Sequence, residues 1–272
     1  MKFRAGLVQL RTPARHEAAL EHVVPLVREA AAGGAQFILT PEGTNVLQRD
    51  RTQLLPSLKS VEDDVVVSGL RALAAELGVW LDIGSALVVE EGRPANRQLL
   101  IAPDGSIAAA YDKIHMFDVD LPTGEVSRES ATYEPGAAAV LVETPLAKLG
   151  LTICYDMRFP ALYRALTVKG AQVLTVPSAF TRPTGQAHWE ILLRARAIET
   201  GSFVLAAAQG GLHEDGRGTW GHSMIVGPWG EVLARLDHDE PGVLLANLDL
   251  AAVDAARRAI PALKNARDFT GP

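Results

Sequence analysis

The chain has one cysteine, no long apolar run and no excess of positive charge, and each shortage closes off a class of protein. A single Cys154 among 272 residues permits no internal disulfide, so that thiol is either packing or chemistry. No stretch of about 18 apolar residues exists to cross a bilayer. The segment Met1 to Thr12 lacks the apolar core of a secretory leader, which makes a cytoplasmic location the expectation. Lys and Arg number 26 against 32 Asp and Glu, a net charge of −6 that opposes binding to nucleic acid or to an anionic membrane. No zinc-type spacing of histidine with cysteine occurs, and neither low complexity nor a repeat of about 20 to 50 residues interrupts the chain. What remains is 48% hydrophobic and 21% charged, the balance of a globular protein with ample material for a core.

Hydrophobic periodicity then divides the chain into alternating strands and helices. Lys2 to Leu10 alternates as a half-buried strand, Pro13 to Ala32 has helical spacing stopped by Gly33-Gly34, and Ala35 to Thr40 is a buried strand. Val61 to Leu77 is again helical, with Glu62, Asp63 and Asp64 placed at its positive end. Val79 to Val89 follows as a strand. Gln98 to Ala102 and Ile107 to Tyr111 flank the turn residues Pro103 to Ser106, and Met224 to Val226 and Glu231 to Leu236 flank Gly227 to Gly230, so both pairs predict hairpins. Between them lie strands at Val140 to Val142, Leu149 to Ile153, Ala171 to Val176 and Ser202 to Ala208, with helices at Phe159 to Lys169 and Ala187 to Thr200. Gly242 to Leu248 and the helix Leu250 to Ile260 complete the pattern. Ile114 to Gly136 has no period, and an irregular stretch of that length inside a compact fold is usually functional. The reading is one α/β domain over residues 1–272, with mixed sheets covered by helices.

Three reactive side chains stand just beyond strand-like runs: Glu42 after Phe37 to Thr40, Lys113 after Ala109 to Tyr111, and Cys154 after Leu151 to Ile153. Strand ends in α/β folds converge on the ligand crevice. A thiol that attacks an amide needs a base for its proton, a cation or donor for the oxyanion and a proton for the leaving nitrogen. Glu42, Lys113 and Cys154 meet those needs, the ammonium also favouring the thiolate, and the backbone N–H of Tyr155 offers a second oxyanion donor. Taken singly, each residue has a plainer explanation, a packed thiol or a surface charge. His115, His188 and His222 are candidates for a cysteine–histidine pair, although the trio leaves no catalytic role for them. Arg194 and Arg196, two apart on a helix, face different directions.

The segments Pro41-Glu42-Gly43-Thr44-Asn45, Tyr111-Asp112-Lys113-Ile114-His115 and Cys154-Tyr155-Asp156-Met157-Arg158-Phe159-Pro160 resemble, in order and separation, the three catalytic signatures of the nitrilase superfamily. The resemblance covers essentially the whole chain and is closest to the Nit branch of amidases, through Pro177 to Phe180, Thr184 to Glu190, Leu193 to Glu199, Gly221-His222-Ser223 and Pro228-Trp229-Gly230. It implies a four-layer α-β-β-α sandwich, a homodimer or larger homo-oligomer, and no cofactor or metal. It also implies that Glu129, in Arg128-Glu129-Ser130, positions Lys113 or the substrate. Arg158 follows the nucleophile closely enough to hold a substrate carboxylate, or to anchor a structural ion pair. Gln186 and Asp112 depart from the branch, which commonly has proline and arginine there.

The expected activity is therefore hydrolysis of a small linear amide to acid and ammonia through a Cys154 thioester, with water then activated at Glu42. Ser178 and the run Ala206 to Gln209 are more similar to the deaminated-glutathione amidases of the branch than to the ω-amidases that act on α-ketoglutaramate. Two other classes stand beside this: a non-catalytic binding module on the same fold, and a redox-sensing thiol protein. The first is at odds with an intact trio, and the second leaves Glu42 and Lys113 unexplained.

Overall fold

The computed structural model describes residues 1–122 and 124–271; Thr123, inside the long irregular segment, and Pro272 lie outside the described residues. The first half comprises β1 (Lys2–Gln9), α1 (His16–Ala32), β2 (Phe37–Leu39), α2 (Arg51–Ser57), α3 (Val65–Leu77), β3 (Trp80–Glu90), β4 (Arg93–Ile101) and β5 (Ile107–Asp112). A short hairpin follows, β6 (Asp118–Asp120) and β7 (Val126–Arg128), then β8 (Val140–Glu143), β9 (Lys148–Leu151), α4 (Pro160–Val168) and β10 (Val173–Thr175). The last part holds α5 (Arg182–Thr200), β11 (Phe203–Ala206), β12 (Gly210–Leu212), β13 (Gly218–Trp220), β14 (Met224–Val226), β15 (Val232–Arg235), β16 (Gly242–Asp249), α6 (Ala251–Ala259) and α7 (Ala262–Asn265). Among the described residues no helix is long and apolar enough to cross a membrane.

Two six-stranded mixed sheets carry the architecture, ordered β16-β1-β2-β3-β4-β5 and β15-β14-β11-β10-β9-β8. Strand alternation decides which side chains face which layer. On β1 and β2, Phe3, Leu7, Phe37 and Leu39 join the core shared with the second sheet, while Val8 and Ile38 turn to the core under α1 and α3. Leu162, Tyr163 and Leu166 of α4, with Trp189, Leu193 and Ala197 of α5, close the other side of the second sheet. The result is the expected four-layer α-β-β-α sandwich. The two sheets approach closely at Gly84, where an added Cβ would fall 1.9 Å from the Thr40 carbonyl oxygen and 2.4 Å from Pro177.

One polar bridge crosses between the sheets. Gln98 Nε2 donates both to Asp82 Oδ2 and to Thr175 Oγ1, each at 2.8 Å. Asp82 is fully buried, and burial pushes its carboxyl up to about 8 against the Gln98 hydrogen bond that opposes the rise. Asp82 Oδ1 and Gln98 Oε1 are both buried without a partner.

Element boundaries depart from the sequence reading where side chains set the ends. Asp64 caps α3 by accepting from Val66 N and Val67 N, so Val61 to Asp63 precede the helix instead of opening it. Pro at the start of α5 lets that helix begin at Arg182, five residues before Ala187. Strand β4 begins at Arg93, because the Glu91-Gly92 turn, with φ of 51° and 78°, folds it back along β3. The segment from Ile114 to Gly136 is not wholly irregular, since β6 and β7 pair within it.

Candidate active site

Three segments leave the sheets at the same end and meet. After β2, Gly43 at φ 68° reverses the backbone, and Thr44 Oγ1 donates to the Pro41 carbonyl at 2.7 Å. Gln209 Nε2 then donates to the Glu42 carbonyl at 3.0 Å, which fixes the turn that presents Glu42. After β5, Lys113 N donates to Asn96 O at 3.0 Å, carrying the ladder one residue past the strand and turning the ammonium inward. After β9, Cys154 adopts φ 49°, a left-handed conformation costing a non-glycine residue of order 1 kcal/mol. It is held there by its N–H on the Pro177 carbonyl at 2.9 Å and by Ile153 N on Asp156 Oδ2 at 2.9 Å.

Glu42, Lys113, Glu129 and Cys154 all line one cavity of about 390 Å³. Lys113 Nζ donates to Glu42 Oε1 at 2.8 Å and to both oxygens of Glu129, at 2.9 and 2.8 Å. Asn96 bridges the same two carboxylates, its Nδ2 donating to Glu42 Oε1 at 2.9 Å and to Glu129 Oε1 at 3.3 Å. Ala179 N donates to Glu42 Oε2 at 2.9 Å, and Phe117 N to Glu129 Oε2 at 2.6 Å. Each carboxylate thus has fixed donors, and the ammonium lies between them.

The electrostatics follow from that packing. Burial pushes the Glu42 carboxyl up, but the Lys113 ammonium and hydrogen bonds from Lys113, Cys154 and Asn96 outweigh it and hold Glu42 below the ordinary carboxylate range. Burial likewise works against the Lys113 charge, yet Glu129 and Glu42 hold the ammonium protonated well above the usual lysine range. For Cys154, burial and then the Glu42 charge raise the thiol well above its ordinary value, and Lys113 only partly offsets them. The resting pair is therefore a carboxylate and a thiol: Lys113 favours the thiolate, as expected, but does not outweigh burial and the Glu42 charge. Any attack by such a thiol must be accompanied by transfer of its proton.

The remaining sequence candidates fall on both sides of the cavity wall. Tyr155 lines it, with its ring edge-on to Phe117 and Phe159. It is the second residue of a short helical turn, Cys154–Arg158, where a backbone N–H has no partner within the turn. Arg158 is not brought to the cavity: its guanidinium lies over the Tyr155 and Phe180 rings, 5.9 and 5.5 Å from their centres, with a nitrogen 3.3 Å from His188 Nδ1. It makes no ion pair with a carboxylate among the described residues, and it stands behind two rings that line the cavity. None of the three histidines lines the cavity. His115 is bonded to Asp156, His188 lies exposed on α5, and His222 Nδ1 is 2.6 Å from the Trp220 carbonyl. Asp112 pairs with Arg97 at 2.7 Å and Gln186 is exposed on α5, so neither departure reaches the site.

Asn96, Tyr133, Arg49, Arg51, Arg128 and Arg217 line the cavity without having been singled out from the sequence. Cations on the wall, Lys113 and these four arginines, outnumber the carboxylates Glu42, Glu125 and Glu129. Such a wall favours an anionic ligand. No cluster of three or more His, Cys, Asp or Glu suited to a metal ion occurs among the described residues.

Comparison with known proteins supplies the lineage. The family description carbon-nitrogen hydrolase matches residues 4–258. The chain is 40% identical over 239 residues to the deaminated glutathione amidase of Yersinia enterocolitica, covering 86% of this chain and 82% of that one. It is 37% identical over 267 residues to the omega-amidase of Xenopus tropicalis, covering 98% and 95%. Among solved structures, a glutamate-to-glutamine mutant of the amidase from Nesterenkonia sp. AN1, described as showing the result of Michael addition of acrylamide at the active site cysteine, superposes with a TM-score of 0.79 at 28% identity, over 95% of this chain and 98% of that one. The matched span takes in Glu42, Lys113 and Cys154, and the chain belongs to the carbon–nitrogen hydrolase family of the nitrilase superfamily.

Proposed function

We propose that the chain is a cysteine-dependent amidase of linear, carboxylate-bearing amides, with Cys154 as nucleophile, Glu42 as general base and Lys113 as oxyanion stabiliser. The observation that carries this reading is the contact of Lys113 Nζ with Glu42 and Glu129 beside a buried thiol in one cavity. The reactive cysteine named for the Nesterenkonia amidase supports the same role for Cys154.

In the first stage Cys154 Sγ bonds to the amide carbon as its proton passes to Glu42, and the carbonyl oxygen takes up the electron pair. Protonation of Glu42 removes one of the two anions that hold Lys113, which frees that donor to face the new oxyanion as it forms. The Tyr155 N–H is the second donor. Collapse breaks the carbon–nitrogen bond, and the proton on Glu42 leaves with the amine. Water, deprotonated by the same carboxylate, then attacks the thioester and restores the thiol. Glu129 and Asn96 hold Lys113 and Glu42 in place throughout.

We assign deaminated glutathione as the preferred substrate, a reading supported by the Yersinia relative and by a cavity roomier than a five-carbon amide requires. The ω-amidase reading is favoured by the Xenopus relative. Ser178 does not discriminate by contact, because it is fully buried with its hydroxyl on the Val176 carbonyl at 3.1 Å. Both substrates deliver the same α-ketoglutaryl group to Cys154. They differ in what leaves: ammonia from α-ketoglutaramate, a dipeptide amine from deaminated glutathione. Release of α-ketoglutarate from each compound is thus the common assay, and kcat/KM for deaminated glutathione is expected to be at least about tenfold higher, roughly 1.4 kcal/mol of differential transition-state binding. The opposite preference would move the protein to the ω-amidase reading.

We also propose that the protein acts as a homo-oligomer. Ile191 and Ile198 of α5 are 69% and 55% exposed, and Trp229, in the turn that Arg194 Nε bonds through the Gly230 carbonyl, is 60% exposed. Together they form an apolar face suited to a second copy. Sedimentation should give a dimer or larger species that Ile191→Asp shifts toward the monomer; a monomeric wild type would overturn this.

A further inference from the structure

The four arginines on the cavity wall are not equivalent. Arg128 is committed to Asp120, at 2.8 Å to each oxygen, and to the carbonyls of Val119 and Ser127. Arg51 donates to the Ala131 carbonyl. Arg217, by contrast, meets Asp215 only at 3.7 Å, beyond hydrogen-bond reach, and its Nε is buried without a partner. The Arg49 guanidinium makes no hydrogen bond or ion pair among the described residues. One buried carboxylate organises both: Asp215, 2% exposed, accepts from Arg49 N and from Arg217 N, each at 2.9 Å. Its oxygens accept from backbone donors, so it pins the two loops; the Arg49 guanidinium stands in solvent, while Arg217 Nε is left unsatisfied. A desolvated donor of this kind is costly unless something in the cavity completes it.

Position says which part of a substrate that would be. Cys154 is 7% exposed at the closed end, Arg217 is about one quarter exposed, and Arg49 is exposed. On the amidase reading the acyl group is bonded to buried Cys154, and the amine half extends toward the more exposed part of the wall, to which Arg217 and Arg49 belong. We propose that Arg217, assisted by Arg49, holds a carboxylate on the leaving-group half of the substrate. The matching substrate class is amides whose amine portion is itself anionic, such as a dipeptide with a free C-terminus. A guanidinium fork fits such a carboxylate with two parallel hydrogen bonds. The inference rests on the amidase reading and adds to it a residue that separates its two substrates, since ammonia carries no carboxylate.

The test compares Arg217→Gln and Arg217→Lys with wild type on deaminated glutathione and on α-ketoglutaramate. The ratio of the two kcat/KM values should fall by about tenfold or more in Arg217→Gln, the scale of one charge-assisted hydrogen bond, with Arg217→Lys between. An unchanged ratio overturns the proposal. Calorimetric binding of deaminated glutathione to the Cys154→Ala protein, with and without Arg217→Gln, reads the same contact without turnover. Weakening by about tenfold supports it, and equal affinity overturns it. If wild type hydrolysed neither amide the amidase reading would fail, while this binding comparison would still decide the role of Arg217.

Discussion

Tyr111 donates its hydroxyl to Asp156 Oδ2 at 2.6 Å, and through that bond the strand that ends just before Lys113 is tied to the short helical turn that begins at Cys154. Asp156 is fully buried and collects three further donors: Ile153 N on the same oxygen, and His115 N and Nδ1 on the other at 3.0 and 2.7 Å. His115 in turn stacks on Phe159, ring centres 3.6 Å apart. One carboxylate thereby ties together the backbone segments that carry Lys113 and Cys154. Asp156→Asn turns one acceptor into a donor facing donors and should cost about 3 kcal/mol of stability, with kcat lowered as well. Tyr111→Phe removes only one of four donors and should cost about 1 kcal/mol. Urea unfolding of both variants checks the order, and equal losses would contradict it.

Asn96 gives a prediction in pH. If Glu42 is the base, as proposed, activity requires its ionised form, and the acid limb of kcat/KM marks the Glu42 carboxyl, held low in part by Asn96. Activity is present above that value and lost as pH falls through it. Asn96→Ala removes one donor from each carboxylate, so the acid limb should move upward. A variant that lost activity equally at every pH would show that Asn96 serves structure alone.

Much of this was legible in the sequence, for a physical reason. Glu42, Lys113 and Cys154 are charged or reactive residues at the ends of apolar runs, and their contrast with those runs marks them. Asn96 has no such contrast. It is uncharged, and it lies between Pro94 and Arg97 in a stretch whose strand character comes from pairing with β3 and not from its own composition. Helix α2 has seven residues and an internal Pro56, too short and too broken for a periodic signal. Arg217 could have been suspected only by knowing that Asp215 turns its loop toward the loop of Arg49, a contact between residues 166 apart in sequence. The direction of the Arg158 side chain, over the Tyr155 and Phe180 rings, was not legible either, because closeness to Cys154 in sequence does not fix it.

The bridge between the sheets predicts how stability depends on pH. Asp82, raised to about 8 in the fold, keeps a proton there that the unfolded chain has already lost. An acid shifted in this sense contributes most below the ordinary carboxylate range, and the contribution declines as pH rises toward 8. Asp82→Asn cannot ionise and so carries no penalty for a buried charge at any pH. It should therefore raise Tm at pH 8 by several degrees, with the gain shrinking toward about pH 4. Scanning calorimetry across that range measures it, and a gain independent of pH would refute the assignment.

The account as a whole depends on Cys154 as the attacking atom, a buried thiol whose proton goes to Glu42. Release of α-ketoglutarate by Cys154→Ala, measured on both amides beside wild type with the fold confirmed by circular dichroism, tests this most directly. The account predicts activity below about a thousandth of wild type, since nothing else in the cavity replaces the nucleophile. A folded Cys154→Ala protein retaining activity within tenfold of wild type would contradict it.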